Sequence, residues 1–238
     1  MLLASQHAVV TQEVPVSLIG EMASPRTYND LCGVARGLDV IGERWALLVV
    51  RELLLGPKRF SDLSRGLASA SQNVLTQRLR ELEQSGVVQR RKLDPPASIW
   101  VYELTDWGAE LEPVLDHLGR WGSRAPAPPS ADIGVDALIL ALKTAFDPHT
   151  AADLHARYEL RFDDDRICVD VAEGEIELAR GSAEDPDAVL TTNVATLLIL
   201  AFAGHSLDDA LRTGELTIEG DRAAVARLVG AFSHAVTA

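Results

Sequence analysis

Between Ser71 and Gly86 the sequence SQNVLTQRLRELEQSG sets Gln72, Asn73, Thr76, Gln77 and Arg80 among leucines spaced four and three apart. Leu75, Leu79 and Leu82 define an inward helical stripe, so the polar side chains fall on the outer face or its borders, toward the N-terminal half. Such a set is suited to reading a surface rather than to breaking bonds. Asn and Gln offer the paired donor and acceptor that fit adenine N6 and N7, and Arg fits guanine or a phosphate oxygen. Ser71 is placed to cap the helix. Just downstream, Arg90, Arg91 and Lys92 follow one another in VVQRRKL, where they would supply positive charge that positions a duplex without reading its bases.

The 238-residue chain has a formal net charge of −13 at pH 7, which is hostile to nucleic acid until it is divided. Residues 1–125 hold 14 basic against 15 acidic residues, and residues 126–238 hold 8 against 20. Within the first half, Lys58, Arg59, Arg65, Arg78, Arg80, Arg90, Arg91 and Lys92 face only Asp62, Glu81 and Glu83, a local net charge of +5. That is the footprint of a phosphate contact. Enzyme readings find no foothold: the six histidines have no metal-ligand spacing, and no phosphate loop, nucleophile elbow or paired-carboxylate motif occurs. No catalytic residue, metal site or cofactor is expected. The acidic run at 163–165 reads as a hairpin turn. Cys32 and Cys168 form no CxxC or Cys/His cluster, which fits a reducing compartment. No apolar run approaches the roughly 18 to 20 residues of a membrane span, and the N-terminal stretch lacks the basic region of a secretory signal. The expectation is a cytoplasmic protein with no membrane partner.

The elements that must hold these side chains follow from periodicity. Leu31, Val34, Leu38 and Ile41 mark a first helix, and RWALLVVRELLLG a second, mostly apolar one that stops at Gly56-Pro57. Phe60, Leu63 and Leu67 mark a third, and 71–86 is the fourth. VVQRRKL and IWVYELT alternate as two strands around a Pro95-Pro96 tip. One last helix over 106–122 carries Leu111, Val114, Leu115, Leu118 and Trp121. This is the parts list of a winged helix-turn-helix, whose reading helix enters the major groove while a basic hairpin lies beside it. Residues 1–25 read as a flexible tail, 26–122 as the DNA-binding domain, 123–134 (SRAPAPPSADIG) as a Pro/Ala-rich linker and 135–238 as a second domain.

From Tyr28 to Gly122 the ordered motifs Tyr28 and Cys32, IGERWALLVVRELLLGPKRFSDL, VLTQRLRELEQSGVVQRR, VYELTDWGAEL and RWG resemble the HxlR-type winged-helix transcriptional regulators, relatives of the MarR group. The resemblance implies a homodimer that binds a roughly palindromic operator through the helix at 71–85, with the wing at 88–101 alongside. The apolar stripe Leu111, Val114, Leu118 and Trp121 is longer than a small winged helix needs for its own core, so part of it, with the helix near Cys32, is expected to pair two subunits. The resemblance also matches Cys32 to a cysteine that some members use to sense oxidants. Glu43 departs from the family's usual glycine, and little effect on DNA is expected from it.

The second domain opens with the helix VDALILALKTAF. A meander follows in which Tyr158, Leu160 and Phe162, then Ile167, Val169 and Val171, then Ile176 and Leu178 alternate as in an antiparallel sheet with one buried face. The run from DPDAVLTTNVATLLILAFAG to the terminal helix resembles the sterol carrier protein type 2-like fold, giving an overall α+β protein. That resemblance implies an apolar tunnel for a hydrophobic small molecule, lined by Leu142, Phe146, Phe162, Leu198, Phe202, Leu216 and Phe232. The alternative is that the same side chains simply fill a core. The leading functional expectation is a homodimeric regulator that binds double-stranded DNA and takes a hydrophobic effector. The competing one is a lipid-binding or sequestering protein whose winged helix mediates protein contacts.

Overall fold

The computed structural model describes residues 27–126 and 133–232. The expected N-terminal tail and the proline-rich middle of the expected linker lie outside the described residues. The described residues up to Asp39 form a unit by themselves. Asp30 accepts from the Cys32 amide at 2.9 Å where α1 (Gly33–Ile41) begins. Asp39 ties the segment's start to the helix by accepting from the Thr27 hydroxyl and the Tyr28 amide, each at 2.9 Å.

From Val40 onward the chain forms the larger unit. α2 (Ala46–Leu53) buries Ala46, Val49, Val50 and Leu53, while Leu48 is partly exposed. α3 (Phe60–Gly66) and α4 (Gln72–Gln84) pack against it through Leu63, Leu75, Leu79 and Leu82. β1 (Val88–Lys92) and β2 (Trp100–Leu104) pair antiparallel, with Arg90 opposite Tyr102. Lys58 exchanges both backbone hydrogen bonds with Tyr102, at 2.9 and 2.8 Å, and so ties the α2–α3 connection to the hairpin.

The single helix expected over 106–122 is two: α5 (Asp106–Ala109) and α6 (Glu112–Gly122). Pro113 explains the break, because it lacks the N–H a continuous helix would need there and is tolerated only in a first turn. Gly108 is required for a different reason. A Cβ there would lie 2.1 Å from the Val87 carbonyl oxygen, so only glycine lets α5 close on the hairpin's base.

Beyond the linker come α7 (Val135–Ala145), β3 (Ala156–Phe162), β4 (Asp165–Ala172), β5 (Glu175–Arg180), β6 (Ala188–Thr192), α8 (Val194–Phe202), α9 (Leu207–Thr213), β7 (Leu216–Gly220) and α10 (Arg222–Gly230). The sheet order is β5-β4-β3-β6-β7. The meander is as expected, but the sheet is mixed rather than antiparallel, because β6 pairs parallel to β3 with Leu160 opposite Leu190. The 181–187 connection is pinned to β3 on its way: Ala183 donates to the Glu159 carboxylate and Asp187 accepts from the Arg157 amide, at 2.9 and 2.8 Å.

The expected tunnel between sheet and helices is a filled core. Leu142, Phe146, Phe162, Leu216 and Phe232 are all buried, and the Phe146 and Phe232 rings meet at 6.1 Å between centroids. The space left beside Leu142 and Phe232 is about 10 Å³, room for at most one water. Tyr158 crosses this core to donate its hydroxyl to the Ala224 carbonyl at 3.0 Å, and burial pushes its pKa up to about 12. Leu198 and Phe202 are only half-buried.

Charge, not apolar packing alone, joins the two halves. Lys58 Nζ, on a side chain only 10% exposed, donates to Glu52 at 2.8 Å and to Asp136 of α7 at 2.5 Å. Asp136 also accepts two bonds from Arg180 Nη2 at 2.9 Å, and Arg180 reaches Asp165 as well. Burial would lower the Arg180 pKa, but those two carboxylates outweigh it and the guanidinium is held above its ordinary value. A Cβ on Gly66 would sit 2.3 Å from the Glu52 carboxylate, so glycine makes the space for the buried acid. Lys58→Ala leaves two carboxylates buried short of a cation, and the expected cost is about 3 to 5 kcal/mol. A shift in the urea midpoint, with unchanged m-value, measures it.

Candidate nucleic-acid interface

Ser71 caps α4 by accepting from the Val74 amide at 3.3 Å, which fixes the first turn and aims its N–H groups outward with the positive end of the helix dipole. Gln72, Asn73 and Arg80 are exposed. Among the described residues, none of these three makes a side-chain hydrogen bond or ion pair. Thr76 is spent in part, since its hydroxyl donates to the Gln72 carbonyl at 2.7 Å, and Gln77 leans on Glu81 at 2.7 Å. The exposed polar strip expected from the sequence is therefore present, with its first turn the least committed part.

Arg78 belongs to the scaffold instead. It is buried and pairs with Glu81 and, at 3.6 Å, with Glu43. Glu43 sits in the turn before α2, where Trp45 takes a left-handed φ of 77° and the Arg44 guanidinium lies 5.3 Å from its ring. The departure at position 43 thus has a structural use: it clamps α4 to the start of α2.

The hairpin's charges divide in the same way. Arg90 lies over Trp100 at 4.7 Å and near Tyr102 at 5.9 Å, a stacking that keeps the cation at the surface. Lys92 is exposed opposite Trp100. Arg91, expected to face phosphate with them, makes two parallel bonds of 2.7 Å to Glu103, which also accepts from Gln89 at 2.9 Å. The bond from Arg91 holds the Glu103 carboxyl below the usual range. Lys58 and Arg78 leave the basic patch by burial and Arg91 by pairing; Arg59, Arg65, Arg80, Arg90 and Lys92 remain exposed.

Cys32 is exposed, and Cys168 is half-buried, with burial pushing its thiol up. Among the described residues no group of three or more His, Cys, Asp or Glu is arranged to hold a metal ion, and no helix is long and apolar enough to cross a membrane.

A capped helix with an uncommitted polar first turn, backed by a three-helix core and flanked by a basic hairpin, defines a winged helix-turn-helix protein carrying a second, α+β lobe. Residues 40–128 match the HxlR-like helix-turn-helix family. The regulator YvaP of Bacillus subtilis is 38% identical over 88 residues, covering 37% of this chain and 82% of its own length. YtcD of the same organism is 41% identical over 98 residues, covering 41% and 76%; its crystal structure superposes with a TM-score of 0.36 over 39% of this chain and 95% of that one, at 39% identity. The chain belongs to the HxlR-like helix-turn-helix family of transcriptional regulators. Residues 132–236 match the alkyl sulfatase C-terminal family. The alkylsulfatase Pisa1 from Pseudomonas sp. is similar at 19% identity with a TM-score of 0.40, over 48% of this chain, which spans 20% of that enzyme's length.

The Glu103–Arg91 pair makes the wing acid-sensitive. Because the folded carboxyl is held below its ordinary value, its contribution is complete above the ordinary carboxylate range and is lost as pH falls through the depressed value. Amide exchange or Trp100 fluorescence is expected to show the hairpin loosening in that window in the native chain, with no such step in Glu103→Gln.

Proposed function

We propose that the chain is a cytoplasmic, homodimeric regulator that reads double-stranded DNA with the first turns of α4, through Ser71, Gln72, Asn73, Thr76 and Gln77, while Arg80, Arg90 and Lys92 hold phosphates. The observation that carries this reading is the pair Gln72 and Asn73: two exposed amides, uncommitted among the described residues, at the capped end of the fourth helix of an HxlR-family fold. Arg91 serves the wing's structure first, because its donors are taken by Glu103. Residues 26–122 act as the DNA-binding domain and 135–238 as the sensory one. Cys32 as an oxidant sensor rests on the family resemblance and on its exposure, and Cys32→Ser tests it by loss of any peroxide or quinone response.

Dimerisation is supported by α6, which leaves Val114, Leu118 and Trp121 at 47%, 42% and 67% exposure on one side. Two such faces paired about a two-fold axis would make an isologous dimer, the symmetry that a palindromic operator requires. A second reading, a lipid-binding or sequestering protein, rests on the resemblance of the second domain to the sterol carrier protein type 2-like fold. A sterol-carrier-like tunnel has about 10 Å³ to work with, so that reading needs its ligand elsewhere.

Anisotropy with duplex DNA from upstream of the protein's own gene tests the first reading. Asn73→Ala should cost about 1 to 3 kcal/mol on a preferred site and relax its sequence preference. Lys92→Ala should weaken all sequences alike and make the salt dependence shallower. Glu103→Gln should do the opposite by releasing Arg91. Light scattering should report a dimer that Val114→Asp dissociates. A monomeric chain, or affinities indifferent to all four substitutions, is incompatible with this surface reading DNA.

A further inference from the structure

A cavity of about 1030 Å³ opens between α2, α6 and α7, with Phe202 of α8 on its wall. That is the upper end of the range for small-molecule sites. Its apolar surface comes from Leu48, Leu118, Trp121, Leu140 and Phe202. Among the described residues its charged lining has one sign: Arg51, Arg120 and Arg124 line it and no aspartate or glutamate does, in a chain of net charge −13.

The arginines are only partly employed. Arg51 donates Nη2 to Glu52 at 2.8 Å, but its Nε is buried with no hydrogen-bond partner, and an orphaned buried donor calls for an acceptor. Arg120 donates Nε to the Thr144 carbonyl of α7 at 3.3 Å, which holds the side chain across the cavity's edge and leaves its terminal nitrogens without a carboxylate among the described residues. Arg124 has no ion pair among the described residues.

We infer that this junctional cavity is an effector site for an amphipathic organic anion, a carboxylate on an apolar body, whose head is held by Arg51, Arg120 and Arg124 and whose tail lies against Leu48, Leu140 and Phe202. The wiring to the wing is short. Glu52 takes Arg51 on one oxygen and Lys58 on the other, at 2.8 Å each, and the Lys58 backbone is paired to Tyr102 of β2. An anion that draws Arg51 away from Glu52 changes the charge balance around Lys58, which holds the hairpin to the core. Binding to the cavity stands independently of the DNA reading; the effect on DNA rests on it.

The test is calorimetric titration of the full-length chain with octanoate, octanol and octylammonium, with the oligomeric state followed by light scattering. Octanoate should bind saturably and at least tenfold more tightly than either analogue. The Arg120→Gln/Arg124→Gln pair, at exposed positions that leave the core untouched, should lose at least tenfold, and Ala141→Trp should fill the cavity and abolish binding. Octanoate should also change the affinity for DNA severalfold in the native chain and not in Ala141→Trp. Equal binding of the three probes, octanoate affinity unchanged in both variants, or heat that only follows dimer dissociation would overturn the site. If octanoate binds as expected and no DNA is bound, the DNA reading fails and the cavity stands; if DNA is bound and octanoate is not, the cavity fails alone.

Discussion

Lys58 is where the architecture is most constrained. Its backbone pairs with the wing and its ammonium lies between Glu52 of α2 and Asp136 of α7, so one residue belongs to the helix-turn-helix core, the hairpin and the second lobe together. Taking such charges out of water is costly, and an ion pair of this kind often adds less stability than apolar residues of equal volume would. Its distinctive effect is on geometry: the carboxylate of Asp136 is satisfied only when α7 sits where both Lys58 and Arg180 reach it. The arrangement of α2 against α7 is thereby tied to one register, and Gly66 is tied to being glycine.

The same logic governs the surface. Arginines in a run such as 78–92 look interchangeable in a sequence, yet Arg78 is anchored to Glu43 and Glu81, Arg91 is neutralised by Glu103, and Arg90 is laid flat on Trp100. Local net charge therefore overstates the field that a phosphate would meet. Three of the eight cations between 58 and 92 are committed to carboxylates of the chain itself, Lys58 and Arg78 by burial and pairing and the exposed Arg91 by pairing alone. The remaining cations sit on α3, α4, the hairpin and the α2–α3 connection, so the positive field comes from several elements and no single one can be credited with it.

Periodicity made α2 to α4, the hairpin, the meander and the terminal helix legible, because each is an amphipathic element whose buried face shows as a spacing of apolar residues; α1 shows the same spacing although none of its residues is buried. β6 escaped because AVLTT is short and runs straight into the apolar α8, so its alternation is swamped. Its pairing with β3 is parallel and depends on the 181–187 connection, which carries no periodic signal. The break before α6 was visible in Pro113 but was overridden by the continuous apolar stripe around it. The buried charges were illegible for a different reason: whether Glu52 or Lys58 faces water depends on a partner 78 residues away from Lys58, and nothing local marks it. The strip on α4 was legible because an exposed face declares itself by the absence of apolar residues.

A filled core in the second lobe changes where chemical information can enter the molecule. Packing as dense as that around Tyr158, Phe146 and Phe232 transmits strain but admits no ligand without the cost of opening it. The space of ligand size lies instead at the junction between α2, α6 and α7. A Cβ built on Gly119 of α6 would be in ordinary contact with Thr144 of α7, and Lys143 reaches Glu112, so α6 and α7 lie close together beside it and part of what joins them is polar. On the effector reading, the lobe's apolar interior supplies rigidity and a ligand acts at the boundary between the lobes, with Glu52 and Lys58 the shortest chemical path from the cavity to the wing.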